Sequence, residues 1–144
     1  MDFKRESFNE VFKEMVPLLL KHRDEINLFN KTLDPDIDTY LDWEEAGVSR
    51  LYTVRDQGEL VGYGNFVLFT HNHHKTSLHA TQDVLFIKKD KRGHGLDFLK
   101  FCEAELKKDG VEVLHQCVPS CNDWGKVLEF KGYHKLETIY IKEL

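Results

Sequence analysis

The apolar positions of this chain change period along its length. Phe8, Val11, Phe12, Met15 and Leu19 recur at helical spacing, as do Ile37, Tyr40 and Leu41. After Gly47 the period drops to two. Residues 51–54 and 60–69 read as strands joined by the hairpin turn Asp56-Gln57-Gly58. A polar connection is expected over 71–77 and a further strand over 78–87. Helical spacing returns at Leu96, Leu99, Cys102 and Leu106, and Gly110 is its stop. Residues 111–118 then read as strand, 123–130 as a short helix ending before Gly132, and 136–142 as a last strand. Residues 2–6 fit a first strand.

Local signals sharpen the boundaries. Ser7 and Glu10 have the spacing of a capping box, with Ser7 as cap and Glu10 reaching back. Pro17 predicts a kink or a split in the first helix. Asp34 is expected to cap the second, with Pro35 in its first position. Gly62 and Gly64, inside a strand, predict a bulge or a close backbone approach. A hairpin meander leading into a strand–loop–helix–strand unit predicts an α/β fold. Its sheet is mixed and mostly antiparallel, with helices on both faces, in one domain spanning residues 1–144.

The junction of the apolar run Val84-Leu85-Phe86-Ile87 with the third helix is Arg92-Gly93-His94-Gly95-Leu96. A strand that turns through glycines into a helix N-terminus exposes backbone N–H groups at the positive end of a helix dipole, where phosphate binds. Lys88, Lys89, Lys91 and Arg92 crowd this loop, and Asp90 is the only acid among them, which suits a polyanionic ligand. The stretch 86–96 resembles the acetyl-coenzyme A signature of the GNAT N-acetyltransferases, a strand followed by R/Q-x-x-G-x-G/A and a helix. Arg92 and Gly95 fall on the first two marked positions, and Asp97 departs from the third. Glu59-Leu60-Val61-Gly62-Tyr63 is similar to the family's second hairpin strand, and Gly132-Tyr133 to its late Gly-Phe/Tyr element. Among members the chain looks most like small GNAT-like proteins of tailed bacteriophages, on its His-rich hairpin connection and compact C-terminus.

The resemblance implies acetyl transfer from acetyl-CoA to a primary amine, on a small molecule or a protein lysine, by direct attack. It implies that Arg92, Gly93, His94, Gly95 and Leu96 wrap the pyrophosphate. Phe86 and Ile87 would flank the pantetheine arm where two strands splay, and Asn122 would contact that arm. Candidate bases are Asp83 and, four residues earlier, His79, whose imidazole is suited to neutral pH. The family's general-acid Tyr position falls on Leu128, which cannot donate a proton, leaving Tyr133, Tyr140 or water. Tyr40 and Trp43 would lie by the acceptor entrance or in the core. The competing expectation is a GNAT fold that has lost turnover and binds a partner, a host protein if the phage resemblance holds; Asp97 and Leu128 favour it.

Composition narrows these classes. The 144 residues carry a formal net charge of −5, against a general nucleic-acid binder and compatible with a cationic substrate. No run approaches the roughly eighteen apolar residues of a membrane span. A charged amphipathic start and three cysteines without paired spacing point to a cytoplasmic protein with reduced thiols. His71-Asn72-His73-His74 with His79 has metal-ligating residue types, but adjacent histidines on a connection point apart. It reads as a solvated or substrate-facing loop, and no metal is expected. A homodimer is an expectation from the family alone.

Overall fold

The computed structural model describes residues 1–26 and 29–144. One sheet runs in the order β1 (Asp2–Arg5), β2 (Ser49–Asp56), β3 (Glu59–His71), β4 (His74–Ile87), β5 (Val113–His115). The first three pairings are antiparallel and β4–β5 is parallel. Helices α1 (Phe8–Ile26) and α2 (Ile37–Glu45) cover one face, and α3 (Gly95–Lys108) covers the other. A short α4 (Gly125–Phe130) follows β5.

Strand alternation divides the side chains between two cores. Leu51, Leu60, Tyr63 and Phe86 pack under Phe8, Val11, Met15 and Leu18 of α1. Tyr52, Val54, Phe66, Ala80 and Ile87 pack under Phe98, Cys102 and Leu106 of α3. The meander is tight where the glycines stand. A Cβ on Gly62 would lie 2.8 Å from the Phe86 carbonyl oxygen, and one on Gly64 would lie 2.9 Å from Leu85 Cδ1. The close approach expected of this pair is therefore real. Two register shifts leave Val61 and Asp83 as extra residues in β3 and β4.

Several local expectations are corrected. The start of α1 is capped from a distance. The Glu44 carboxylate of α2 accepts from the Phe8 N–H (2.6 Å), the Asn9 N–H (3.3 Å) and the Ser7 hydroxyl (3.1 Å). A full carboxylate at the helix's positive end takes the place of the Ser7–Glu10 box. Pro17 does not split α1; it sits on the exposed side of a continuous 19-residue helix. Asp36, not Asp34, caps α2, accepting from the Thr39 N–H (3.1 Å) and hydroxyl (2.8 Å). β4 begins at His74, which pairs with His71, so the expected 71–77 connection is mostly strand. β5 is three residues long, not eight. The expected strand over 136–142 is absent: residues 133–144 carry no helix or strand. Leu136, Ile139, Tyr140 and Ile141 are exposed there. A strand needs a ladder to join, and β5 offers a very short edge before the chain turns at Pro119. The hairpin connection and the compact C-terminus behind the phage resemblance thus both read differently in the structure.

Candidate active site

The site starts where β4 loses one of its neighbours. On its β3 side β4 is paired from His74 to Ile87. On its β5 side the ladder covers His79–Thr81 against Val113–His115 and then stops. The next link is a side chain: Gln82 Nε2 donates to the Cys117 carbonyl oxygen at 3.1 Å. Beyond it, the β4 backbone from Asp83 to Ile87 has no strand on that side among the described residues. The edge opens toward the loop and the start of α3.

Asp83 stands at the mouth of this opening. As the extra residue of a bulge, it sends its carboxylate to the α1/α2 face, where the Val84 side chain also packs. Asp83 Oδ2 accepts from the Tyr40 hydroxyl at 2.8 Å and from Asn65 Nδ2 at 3.3 Å. Asn65 Oδ1 accepts in turn from the Ser49 hydroxyl at 2.8 Å. Asp83 itself is exposed, and among the described residues its Oδ1 has no partner. Burial, reinforced by the bond to Asp83, raises the Tyr40 phenol well above its ordinary value, so Tyr40 stays a donor. Tyr40 stacks on Phe8 at 5.0 Å and meets Trp43 edge-on at 5.3 Å. An accessible carboxylate oxygen, aimed by two donors beside an open strand edge, can accept a proton from an amine.

Next along β4, Phe86 stacks on His22 of α1 at 5.0 Å, and His22 Nδ1 lies 3.0 Å from the Tyr63 hydroxyl. Burial depresses the His22 pKa. A cleft of about 450 Å³ runs from Phe86 past Glu25 to Lys88 and Lys89.

The loop itself is a 3-10 turn, Lys89–His94, that runs directly into α3. Part of the expected row of free N–H groups is used internally. The Lys91 N–H bonds the Lys88 carbonyl at 2.8 Å, and the Gly95 N–H bonds that of Arg92. No side chain caps α3 at His94. Neither Gly93 nor Gly95 has a left-handed φ. A Cβ on Gly93 would meet nothing within 4 Å, and one on Gly95 only Ile87 Cδ1 at 3.9 Å. The fold does not need glycine here, and the two residues leave the backbone bare at an uncapped helix start. That fits a phosphate group approaching it.

Comparison with solved structures meets this geometry. A ribosomal-protein-alanine N-acetyltransferase from Brucella melitensis biovar Abortus 2308 superposes with a TM-score of 0.73 at 16% identity, covering 100% of both chains. An aminoglycoside acetyltransferase from an uncultured soil metagenomic sample gives 0.75 at 10% identity, over 99% of this chain and 95% of that one. A predicted acetyltransferase from Clostridium acetobutylicum, solved with acetyl-CoA, gives 0.71 at 10% identity, over 99% and 95%. This chain has the GNAT acetyltransferase fold. No protein-family model matches its sequence, and no curated protein matches it significantly.

Within the GNAT fold the candidate residues separate. Asp83, Phe86, Ile87 and the 92–96 loop share the open side of β4. His79 does not join them. It is buried, its Nδ1 lies 2.9 Å from His115 Nε2, and its ring packs on Phe69 and His71 at 5.6 and 4.9 Å. Tyr133 lies on the α3 side, where its hydroxyl donates to Glu103 Oε1 at 2.7 Å. Burial and that bond raise its pKa, which makes it a poor acid. Leu128 is buried. Asn122 is exposed in a 3-10 turn whose Cys121 thiol donates to the Glu25 carbonyl at 3.5 Å, at the end of α1. Leu96 is half-exposed and His94 exposed. Asp97, in the first turn of α3, is exposed and lies 4.0 Å from Lys100.

The basic collar is largely neutralised by the protein. Lys88 pairs with Glu59, Lys91 with Asp56 (2.8 Å) and Arg92 with Glu25 (2.5 Å). Arg92 Nε also donates to the Ile87 carbonyl at 3.1 Å. The histidines at the β3–β4 end pack ring against ring. Among the described residues no three His, Cys, Asp or Glu groups are placed to hold a metal. No described helix is long and apolar enough to cross a membrane.

Sequence reasoning missed Asn65, Gln82, Glu25 and His22. Asn65 carried a signal, a polar residue in the middle of an apolar strand. The others become functional candidates only through partners distant in sequence.

Proposed function

We propose that this protein is an N-acetyltransferase that moves an acetyl group from acetyl-CoA to a primary amine by direct attack. The observation that carries the reading is the open β4 edge beside the Asp83 carboxylate. Bound acetyl-CoA supplies the activated thioester. The chain's own residues do the rest. The bare backbone at 93–95 holds phosphate, and Arg92 turns its guanidinium toward it on release from Glu25. Unpaired β4 N–H groups next to the bulge polarise the acyl oxygen. Asp83, held by Tyr40 and Asn65, takes the proton of the attacking amine. The leaving thiolate, whose conjugate acid is fairly acidic, departs unaided. Solved neighbours include enzymes named for ribosomal-protein alanine and for aminoglycosides, which supports an amine acceptor of either size.

The ion pairs around the loop support a second reading, a GNAT fold that binds a partner without turnover. Three of its four cations are already matched by carboxylates. Calorimetric titration with acetyl-CoA separates the two. The enzyme reading expects micromolar binding that is lost in the double substitution Arg92→Glu/Gly95→Glu, and amine-dependent release of free thiol. No binding up to millimolar concentration would leave only the second reading.

A further inference from the structure

The cations around the glycine loop are not held alike. Lys88 and Lys91 pair with Glu59 and Asp56, which flank the tip of the β2–β3 hairpin. These two pairs tie the loop back to the closed side of β4. Lys89 is exposed and has no ion-pair partner among the described residues. Arg92 reaches the other way, to Glu25 in the last turn of α1 at 2.5 Å. That pair is fixed at both ends. Arg92 Nε donates to the Ile87 carbonyl at 3.1 Å, which leaves the far end of the guanidinium for Glu25. The Glu25 carbonyl accepts from the Cys121 thiol at 3.5 Å, so Glu25 is held by its backbone as well as by its carboxylate. The two side chains are 35% and 23% exposed, which shelters the pair from full solvent screening. Glu25 also lines the cleft that runs from Phe86 to Lys89.

Helix electrostatics disfavours Glu25 where it stands. A carboxylate in the last turn of a helix meets the negative end of the dipole. Arg92 offsets that cost, and taking Arg92 away would restore it. We propose that Glu25 is an autoinhibitory latch: its carboxylate occupies the Arg92 guanidinium in the free protein, and a phosphate group of the ligand must displace it before Arg92 joins the site. This deepens the proposed function and rests on it. Lys89 is the cation open to first encounter, and Arg92 is the one that encounter releases. Apparent affinity is then the intrinsic affinity reduced by the fraction of molecules in which Arg92 is free. The latch also selects among anions. A ligand carboxylate would only exchange one carboxylate for another, whereas a pyrophosphate brings two charges and more acceptor oxygens to the same guanidinium.

The test is a double-substitution cycle read by calorimetric titration with coenzyme A. Glu25→Gln keeps the shape and removes the charge. It should tighten coenzyme A binding about three- to tenfold, the range of a partly sheltered charged hydrogen bond. Asp24→Asn is the control. Asp24 lines the same cleft but pairs with Arg23, so its loss removes equal charge without touching Arg92. It should change affinity by about twofold or less, the level of a screened surface charge. In an Arg92→Gln background, adding Glu25→Gln should give no gain. Unchanged or weaker binding in Glu25→Gln, an equal gain in Asp24→Asn, or a gain that persists without Arg92 overturns the latch. Failure of both the unsubstituted protein and Glu25→Gln to bind coenzyme A instead overturns the function on which the latch rests.

Discussion

The two edges of β4 are built to different rules. Toward β3 the strand is paired from His74 to Ile87, and Gly62 lies so close that a methyl group would strike the Phe86 carbonyl. Toward β5 it is paired over three residues, and from Asp83 to Ile87 it has no strand partner among the described residues. One edge is closed by hydrogen bonds and contact; the other is left open beside Asp83 and the glycine loop. The contrast shows how one strand can be both the middle of a core and the wall of a site. The sheet's cohesion is concentrated where nothing has to enter.

If the open edge is the reactive one, the largest effect belongs to Asp83. Asp83→Asn keeps the shape and removes the proton acceptor, and amine acetylation should fall by about 10²-fold or more, the usual worth of a general base. The melting temperature should stay nearly unchanged, because the side chain is exposed. A rate within a factor of two of the original would remove Asp83 from the chemistry.

On the closed edge the effect is on folding. Gly62→Val forces its new carbons against backbone, and about 3 kcal/mol of stability should be lost by overpacking. A urea titration measures it. A loss below about 0.5 kcal/mol, the level of an ordinary surface change, would mean that the strands are free to move apart.

The short β4–β5 ladder should respond to pH. His79 bonds His115 across it and is held below its ordinary value of 6.5 by burial and then by His115. Burial also depresses His71 and His22. The folded chain therefore binds fewer protons than the unfolded one just below pH 6.5. Stability from these groups is complete above that value and declines as the pH falls through it. Melting temperatures at pH 7.5 and 5.5 should differ by a few degrees, and His79→Gln should narrow the gap. An equal gap in the variant would place the sensitivity elsewhere.

The smallest effect sharpens the contrast most. Gly93→Ala meets open space at an ordinary φ, so it should stabilise the free protein slightly, by up to about 1 kcal/mol. The same methyl should weaken coenzyme A binding measurably. Unaltered binding would show that the backbone at 93 faces no ligand.

Elements set by neighbouring residues were legible in the sequence. The Asp56-Gln57-Gly58 turn, with Gln57 and Gly58 both at positive φ, defines the β2–β3 hairpin, and the α3 periodicity and Gly110 stop match. Asp83 stood out as a candidate because its strand leads to a recognisable loop. What failed was set at a distance. Ser7 and Glu10 have the right spacing for a cap, yet a carboxylate from α2 wins the site. His74–Ser77 looks like a loop because it is polar on both faces, and it extends a strand at the exposed end of a hairpin. The 136–142 pattern alternates correctly but has no edge to join. Gln82 looks like an ordinary strand residue until the ladder beside it is seen to end.

The Glu44 cap also bears on how the molecule assembles. The first turn of α1 is completed by a side chain about 36 positions further on, so it cannot be finished by local contacts alone. An isolated peptide covering α1 should fray at Phe8 and Asn9. In the intact chain those amides gain protection from hydrogen exchange only together with the docking of α2. Since α2 also carries Tyr40, the arrival that completes the helix is the same event that brings a donor to Asp83. The first turn of α1 and the candidate carboxylate thus both depend on one docking event, that of α2.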